Sequence, residues 1–439
     1  MPQGVLVTWP TVKGAEVHVR KSQEKFVAEF NGLEVIRCSQ YACASLNRQT
    51  IPILSSLGVP DKSFIDILRE QISNYDAAME NPARAADLLG RYVDENQITL
   101  VIKEMVLSGF MNSNSTEPFV HTLLHLWRFW SIKALKEKTR LIVEQSAFVI
   151  GCVDETNTLR GHKRSTEGLK KVQIDDLPQI FLQISDPNSE TKFRVVTGVC
   201  VVGRNPSLHP GDIRVVEAVD VPVLRHLKNV VVFPLSGDRD VPGMCSGGDL
   251  DGDDFFVIWD KRLIPTEWGY APMDYTPPKP REEKGGVTEA GLMAFFTDFM
   301  KNNTLPLIAH AHMAAADLEV GGPKSRKCKS FLCPPPPFKA WELRRSSGIV
   351  VWPDSNLGVM TQVWNLPSCI PWRWITSRQV SQPLGTRRDM NLDTGHTLWK
   401  RDPKIQGTQT RPWAGYTTWS RRKTLMWWKA TIFLLTRES

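Results

Sequence analysis

The segment CSGGDLDGDDFFVIWD, from Cys245 to Asp260, decides how the rest of the chain is interpreted. Three of its aspartates stand at i, i+2 and i+4, a spacing that projects side chains to one side of an extended segment. Like charges this close repel and raise each other's pKa unless a cation neutralises them. Oxygen ligands without His or Cys favour Mg²⁺, with Mn²⁺ as a substitute. The segment therefore predicts a magnesium site at Asp249, Asp251 and Asp253.

Two other interpretations of the aspartates compete with this one. An isolated Asp-x-Asp is most often a solvated acidic loop. An EF-hand calcium loop also begins Asp-x-Asp-x-Asp, but it requires Gly at its sixth position and Glu at its twelfth. Asp254 and Asp260 occupy those positions, so the EF-hand is excluded. The predicted buried strand Phe255–Trp259 favours the metal site, because it would hold the aspartates rigidly.

Four apolar β segments precede the aspartates in the chain, and the strand Phe255–Trp259 follows them. The segments are Ile180–Ile184, Phe193–Val202, Ile213–Val219, Val230–Phe233 and Phe255–Trp259. Turns rich in Gly, Pro and Asp separate them, and this spacing is typical of a compact β-barrel rather than a βαβ sheet. Short strands are also predicted at Val5–Val7, Val17–Val19 and Leu33–Ile36.

Helical periodicity begins at Thr50. A longer helix is predicted to start near Thr116, Glu117 and Pro118 and to continue towards Lys138. His121 and His125 lie on it at i, i+4, a spacing that can bind a metal on one helix face. An ordinary packed and solvated pair is the commoner outcome where no third ligand is near.

A further helix follows a proline-rich linker at Tyr275–Pro280. Its apolar residues at helical spacing are Leu292, Phe295, Phe296, Phe299 and Met300. They predict an amphipathic helix.

The net charge of +7 is unevenly distributed. Residues 321–439 contain 20 Lys and Arg against 6 Asp and Glu, whereas residues 1–320 contain 34 against 41. Basicity is therefore no argument for nucleic-acid binding by the main part of the chain. The last segment also holds ten of the fifteen tryptophans and no sustained periodicity. We interpret it as a disordered or aberrant tail from a frameshift or a retained intron, which transcript sequencing across codons 318–340 would test.

The N-terminus lacks the layout of a signal peptide, and no run of eighteen apolar residues occurs. These features predict an intracellular protein, nuclear or cytoplasmic, without a membrane partner.

Several motifs together resemble the eukaryotic cellular RNA-dependent RNA polymerases of RNA silencing, and they occur in the order of that family. They are VRKSQEKF (19–26), LNRQTIPILSSLGV (46–59), DE (154–155), RNPSLHPGDIR (204–214), FPLSGDR (233–239), GGDLDGD (247–253) and LIAHAHMAAAD (307–317). The resemblance covers residues 1–320 and indicates a fragment of fungal type. On this basis we expect the family's larger N-terminal region and its helical C-terminal part to be missing.

The resemblance implies an α+β fold with a double-psi β-barrel catalytic core and helical connecting segments. The expected organisation is a part of a first double-psi β-barrel (1–49), a helix-rich connecting region (50–170), a second double-psi β-barrel with the DLDGD loop (171–270), a helical segment (271–320) and the tail (321–439).

The resemblance also implies roles for individual residues. The three aspartates would coordinate Mg²⁺, and Lys25 would join them as a catalytic residue, although a solvated surface lysine is the alternative. Arg204, Arg214 and Arg239 are candidates for contacts with substrate or RNA. Structural ion pairs with Asp212 or Asp238 are the alternative for these arginines. A lysine that usually precedes the first glycine of the family is replaced here by Gln3.

The implied function is RNA-directed RNA polymerisation. The chain would transfer nucleotides from NTPs to an RNA 3′-OH on a single-stranded RNA template, making double-stranded RNA for siRNA production and gene silencing. RNA-silencing proteins would be further partners. A catalytically inactive, RNA-binding remnant of such a polymerase is the main alternative. A metal-dependent nuclease or phosphatase is a third, which leaves the accompanying motifs unexplained.

Overall fold

The computed structural model describes residues 3–332, except residues 11, 13, 15, 26–31, 93–97, 113–116, 187–188, 277–285 and 303–304. Phe26 of the first motif, Thr116 and most of the proline-rich linker lie outside the described residues. The same is true of the tail from residue 333 onward, so the prediction about its order stays a prediction.

Helices form the first half of the described chain, as the periodicity predicts. They are α1 (Thr50–Ser56), α2 (Asp61–Glu80), α3 (Pro82–Arg91), α4 (Ile98–Met105) and α5 (Pro118–Lys138). Phe64, Leu68 and Tyr75 on one face of α2 are fully buried. The Tyr75 ring meets the edge of Trp127 on α5, with ring centroids 5.3 Å apart. These aromatic and aliphatic contacts hold the helices together as one layer against the sheet.

The described β-strands build a closed barrel and a small separate ladder. They are β1 (Ser45–Leu46), β2 (Leu141–Ile142), β3 (Ser146–Val153), β4 (Gln179–Asp186), β5 (Ser189–Val195), β6 (Gly198–Gly203), β7 (Arg214–Ala218), β8 (Val230–Phe233) and β9 (Asp254–Ile258). Six of them close in the order β4-β7-β6-β9-β3-β8, because β8 also pairs with β4. The pairs β3–β8 and β4–β7 are parallel and the remaining barrel pairs are antiparallel. The predicted α+β fold with a β-barrel core is confirmed, and the arrangement is consistent with a double-psi barrel.

Strand β9, which follows the aspartates directly, lies between β3 and β6 in the barrel. Phe255 and Val257 belong to the core that the barrel strands share, whereas Phe256 and Ile258 pack against the helical layer. All four side chains are buried, and each contributes roughly 1.5–3 kcal/mol of transfer free energy. Gly151 on β3 leaves the space for this packing, since a Cβ there would lie 2.6 Å from the Phe255 ring. The end of β9 that follows the aspartates is therefore firmly fixed.

Several sequence predictions of strands are corrected. Val5–Val7, Val17–Val19 and Leu33–Ile36 form no strand, because among the described residues they pair with no neighbouring strand, and an unpaired segment gains no ladder hydrogen bonds. The segment Phe193–Val202 is divided into β5 and β6, which pair with different strands, and Gly198 interrupts it with φ +99°. Strand β3 also belongs to the barrel, between β9 and β8.

The described residues between 3 and 49 contain β1 as their strand, and β1 pairs with β2 outside the barrel. The assignment of this segment to a first barrel, like the other domain limits, stays a prediction.

The remaining helices are α6 (Val241–Met244), α7 (Glu289–Asn302), α8 (Leu305–Leu318) and α9 (Arg326–Leu332). The predicted amphipathic helix is α7, but Phe295, Phe296 and Phe299 on it are more than half exposed. Among the described residues, no helix has the length and apolar character needed to cross a membrane.

Candidate metal centre

The aspartate loop connects α6 to β9 through a series of tight turns. Asp240 caps α6 by accepting a hydrogen bond from the Gly243 amide at 2.6 Å. Gly247 and Gly252 adopt φ values of +66° and +134°, which a side chain would strain. A Cβ on Gly248 would lie 2.8 Å from Cδ of Arg204. Glycine at this position therefore lets the arginine approach the loop.

The three aspartates form a cluster at the surface. Asp249, Asp251 and Asp253 each offer one carboxylate oxygen, and these atoms lie within 4.8 Å of one another. The pKa of Asp251 is raised, first by a hydrogen bond shared with Asp249, then by partial burial and by the charges of the other two carboxylates. A divalent cation would remove this repulsion. The all-oxygen donor set fits Mg²⁺ or Mn²⁺.

Hydrogen bonds within the loop hold the cluster in shape. The Asp249 amide donates to Oδ2 of Asp253 at 3.1 Å, and the Asp251 amide donates to Oδ1 of Asp249 at 3.4 Å. The Gly151 amide on β3 donates to the Asp253 carbonyl at 3.0 Å. The loop thus depends on the barrel for its conformation, and its own hydrogen bonds help to hold the three carboxylates together.

Arg204 is the predicted arginine that the structure brings to the cluster. Its Nε lies 2.6 Å from Oδ2 of Asp253 and its Nη2 lies 3.0 Å from Oδ1. This two-pronged contact fixes the carboxylate plane, because the guanidinium is planar and offers parallel donors. Arg204 therefore pairs with Asp253 and not with Asp212 or Asp238, the partners considered as the alternative.

The N-terminal segment that contains the VRKSQEKF motif also reaches the aspartate cluster. Lys25 is exposed, and its positive charge acts to lower the pKa of Asp251. Nε2 of Gln3 donates to Oδ2 of Asp251 at 3.4 Å. The Gln3 amide also donates to the Gln23 carbonyl at 2.9 Å, which ties the two parts of this segment together. The role of Lys25 beside the aspartates stays a prediction.

An ion pair attaches this segment to the barrel. The guanidinium of Arg20 contacts the carboxylate of Glu155, which directly follows β3 and Asp154 in the chain. Asp154 itself is buried and accepts hydrogen bonds from the amides of Thr156, Thr158 and Leu159. Asp154 thus stabilises the turn that follows β3, whereas Glu155 attaches the N-terminal segment to the barrel.

Arg214 and Arg239 lie in different surroundings. Arg214 is buried, and its Nη1 donates to the Tyr270 carbonyl at 2.6 Å. Burial lowers the pKa of its guanidinium. Arg239 is half-buried and donates to the Met273 carbonyl. Within the described residues neither arginine contacts the aspartates, so their roles towards RNA or substrate stay predictions.

The turn that follows Arg204 is fixed by its own hydrogen bonds. Oδ2 of Asp212 accepts from the amides of Leu208 and His209, both at 2.9 Å, and its other oxygen accepts from the Tyr275 hydroxyl. Nδ1 of His209 accepts from the Gly211 amide at 3.1 Å. His209 therefore satisfies hydrogen bonds within its turn.

The histidine pair on α5 lies apart from this centre. Nε2 of His121 and Nε2 of His125 are 3.1 Å apart, and both rings are exposed. Among the described residues no third metal-ligating side chain completes a group with them.

Sequence reasoning missed Arg37. Its Nη2 donates to the Gly252 carbonyl at 2.9 Å and to Oδ1 of Asp254 at 2.7 Å. Arg37 belongs to none of the recognised motifs, and 215 residues separate it from Gly252. No spacing or periodicity signals a contact of this kind.

The chain is similar in sequence to proteins of known function. The sequence model of the family described as "RNA dependent RNA polymerase" matches residues 3–332. The chain belongs to this family. It is 38% identical over 329 residues to RNA-dependent RNA polymerase 1 of Schizosaccharomyces pombe, covering 72% of this chain and 26% of that protein. It is 37% identical over 317 residues to RNA-dependent RNA polymerase 1 of Arabidopsis thaliana, covering 72% of this chain and 27% of that protein.

A solved structure is also similar. The RNA dependent RNA polymerase QDE-1 from Thielavia terrestris matches with a TM-score of 0.42 and 19% identity, covering 67% of this chain and 35% of that one. The chain spans about a quarter of the length of the Schizosaccharomyces pombe and Arabidopsis thaliana polymerases named above.

Proposed function

We propose that this chain carries the metal-binding core of an RNA-dependent RNA polymerase and catalyses nucleotidyl transfer from NTPs to an RNA 3′-OH. The observation that carries the proposal is the convergence of two distant motifs. One carboxylate oxygen from each aspartate of the GGDLDGD motif lies within 4.8 Å of the others, and the positive charge of Lys25 in the VRKSQEKF motif acts to lower the pKa of Asp251. Family membership supports the reaction class, and the oxygen-only donor set supports Mg²⁺, with Mn²⁺ as a substitute.

Each group would have a distinct task. Asp249, Asp251 and Asp253 would hold Mg²⁺, which when bound lowers the pKa of the attacking hydroxyl and stabilises charge on the phosphate. Arg204 holds the plane of Asp253 by its two hydrogen bonds. Lys25 offers an exposed cation beside the cluster, where it would bind the phosphates of an incoming NTP.

The substrates in this proposal are a single-stranded RNA template and the four NTPs. The product, double-stranded RNA, would serve siRNA production and gene silencing, with RNA-silencing proteins as further partners. The names of the matched relatives support the polymerase reaction for those proteins.

Primer extension by the full chain on single-stranded RNA, with Mg²⁺ and labelled NTPs, tests the proposal. We expect incorporation that falls to background in Asp251→Asn, because this substitution removes a ligand charge without changing side-chain volume. Asp298→Asn is the matched control, since Asp298 is an exposed aspartate on α7. The control should keep the activity of the unmodified chain.

Other outcomes would identify the alternatives. RNA binding without incorporation, unchanged by Asp251→Asn, would establish the inactive RNA-binding remnant. Shortening of the RNA that depends on Asp251 would establish a nuclease.

A further inference from the structure

We propose that Arg37 is a positioning residue of the metal loop: it clamps the loop on both sides of Asp253 and thereby sets the separation of the three carboxylates. This inference rests on the proposed function, because it concerns the same metal site. It assigns a role to a residue outside all the recognised motifs.

The contacts of Arg37 bracket one metal ligand. Its Nη2 donates at 2.9 Å to the carbonyl of Gly252 and at 2.7 Å to the carboxylate of Asp254, the residues on either side of Asp253. The Arg37 side chain is 49% exposed and that of Asp254 is 23% exposed. A single guanidinium nitrogen thus bridges the last turn of the loop and the first residue of β9.

Gly252 is the position where the loop most needs such a clamp. It lies between Asp251 and Asp253 and adopts φ +134°, a conformation open to glycine and costly for other residues. Glycine is also free to leave this conformation, and rotation there would change the distance between the two flanking carboxylates. The hydrogen bond from Arg37 to its carbonyl restricts that rotation.

The opposite side of the loop is already held by the barrel. The Gly151 amide on β3 donates to the Asp253 carbonyl at 3.0 Å, and Arg204 holds the Asp253 carboxylate. Arg37 adds a third support by holding Gly252 and Asp254, the residues on either side of Asp253. Its bond to Asp254 also neutralises the carboxylate that directly follows the cluster in the chain.

The segment that carries Arg37 is attached firmly enough to act as a support. The Phe148 amide on β3 donates to the Ala42 carbonyl at 2.7 Å, and the Tyr41 hydroxyl donates to the Ser146 carbonyl at 3.2 Å. Ser39 donates to the Lys228 carbonyl at 3.2 Å. By contrast, Ile36 is 92% exposed. Burial of apolar side chains therefore does not explain why the chain runs past the loop at Arg37.

The sign of the effect on cation binding separates this role from simple electrostatics. Arg37 places a positive charge near the cluster, so its removal should tighten Mg²⁺ binding if charge alone mattered. A positioning role predicts the reverse, because loss of the clamp lets the carboxylates move apart.

The test measures Mg²⁺ affinity of the full chain by isothermal titration calorimetry. In Arg37→Gln we expect affinity to weaken on the order of 10-fold, the lower range for residues that orient metal ligands. Asp254→Asn should weaken it similarly, and the double variant should be little worse than either single one. Arg69→Gln is the matched control, because it removes a surface arginine paired with Asp66 on α2. Mg²⁺ is the titrant because the His121–His125 pair could chelate a transition metal.

Hydrogen exchange on the metal-free chain makes the test independent of catalysis and of metal binding. In Arg37→Gln the amides of Asp249, Asp251 and Gly151 should exchange faster than in the unmodified chain, whereas Arg69→Gln should leave them unchanged. Unchanged exchange at these amides, or equal or tighter Mg²⁺ binding, would overturn the proposal. If the unmodified chain binds no Mg²⁺, the metal site of the proposed function fails, while exchange still decides whether Arg37 clamps the loop.

Discussion

At the scale of single residues, repulsion within the aspartate cluster lowers the stability of the chain, a cost that a bound cation would offset. A hydrogen bond shared with Asp249, partial burial and the charges of Asp249 and Asp253 raise the pKa of Asp251, so ionisation of the whole cluster is unfavourable without a cation. The amides of Asp249 and Asp251 donate to carboxylates of the same loop, which offsets only part of this repulsion. Side chains selected for stability alone would not be arranged in this way.

The first prediction follows from that repulsion. In the metal-free chain at neutral pH, Asp251→Asn should raise the free energy of unfolding by roughly 0.2–1 kcal/mol, the range for exposed charge interactions. The gain should shrink as the pH falls through the raised pKa of Asp251, because protonation removes the same charge. Urea unfolding of both chains with a chelator present measures the difference. A loss of stability in the variant would contradict the argument, and Asp298→Asn on α7 serves as the control.

At the scale of elements, the proposed reaction requires the segment with Lys25 to stay attached to the barrel. The ion pair of Arg20 with Glu155 makes this attachment at the end of β3. Two hydrogen bonds hold this segment together locally. The Gln23 side chain donates to the Val5 carbonyl at 3.1 Å, and the Arg20 amide donates to Oε1 of Gln23 at 3.0 Å. Loss of the ion pair should therefore displace Lys25 without unfolding the chain.

The second prediction concerns this attachment. Glu155→Gln should lower nucleotide incorporation by about 10-fold, less than the 10²-fold that a displacement of 1 Å at a reacting group can cost. Its Mg²⁺ affinity should be unchanged, because the aspartate loop keeps its own supports. Glu70→Gln is the control, since it breaks an exposed ion pair with Arg262 elsewhere. The charge-exchanged double variant, Arg20→Glu with Glu155→Arg, should restore nucleotide incorporation. The attachment would be refuted if Glu155→Gln kept full incorporation and the exchanged pair gave no rescue.

The sequence predicts single strands and helices, but it does not predict how they pair with one another. The apolar run at Val230–Phe233 predicts β8 to the residue, and the aspartate spacing predicts the cluster, because both are local patterns. The position of β9 between β3 and β6 depends on pairings between distant segments, which no local period encodes. For the same reason Arg37 was not predicted, whereas Arg204 was predicted only through its motif.

At the scale of the whole molecule, the metal loop is coupled to the stability of the barrel. Strand β9 is hydrogen-bonded to β3 and β6 in the closed barrel. Its residues contribute to both the barrel core and the helical core. Global unfolding must therefore destroy the loop, so a cation that binds the folded loop stabilises the whole described unit.

The last prediction uses this coupling to separate metal binding from chemistry. Mg²⁺ at 100 times its Kd should stabilise the chain by about 2.7 kcal/mol, which a thermal melt at several Mg²⁺ concentrations measures as a rising Tm. Lys25→Met should keep this rise, because Lys25 lies beside the cluster and is not one of its ligands, yet it should lose nucleotide incorporation. Asp251→Asn should lose both. A rise in Tm that survives in Asp251→Asn would place the bound Mg²⁺ elsewhere, and full incorporation in Lys25→Met would remove Lys25 from the reaction.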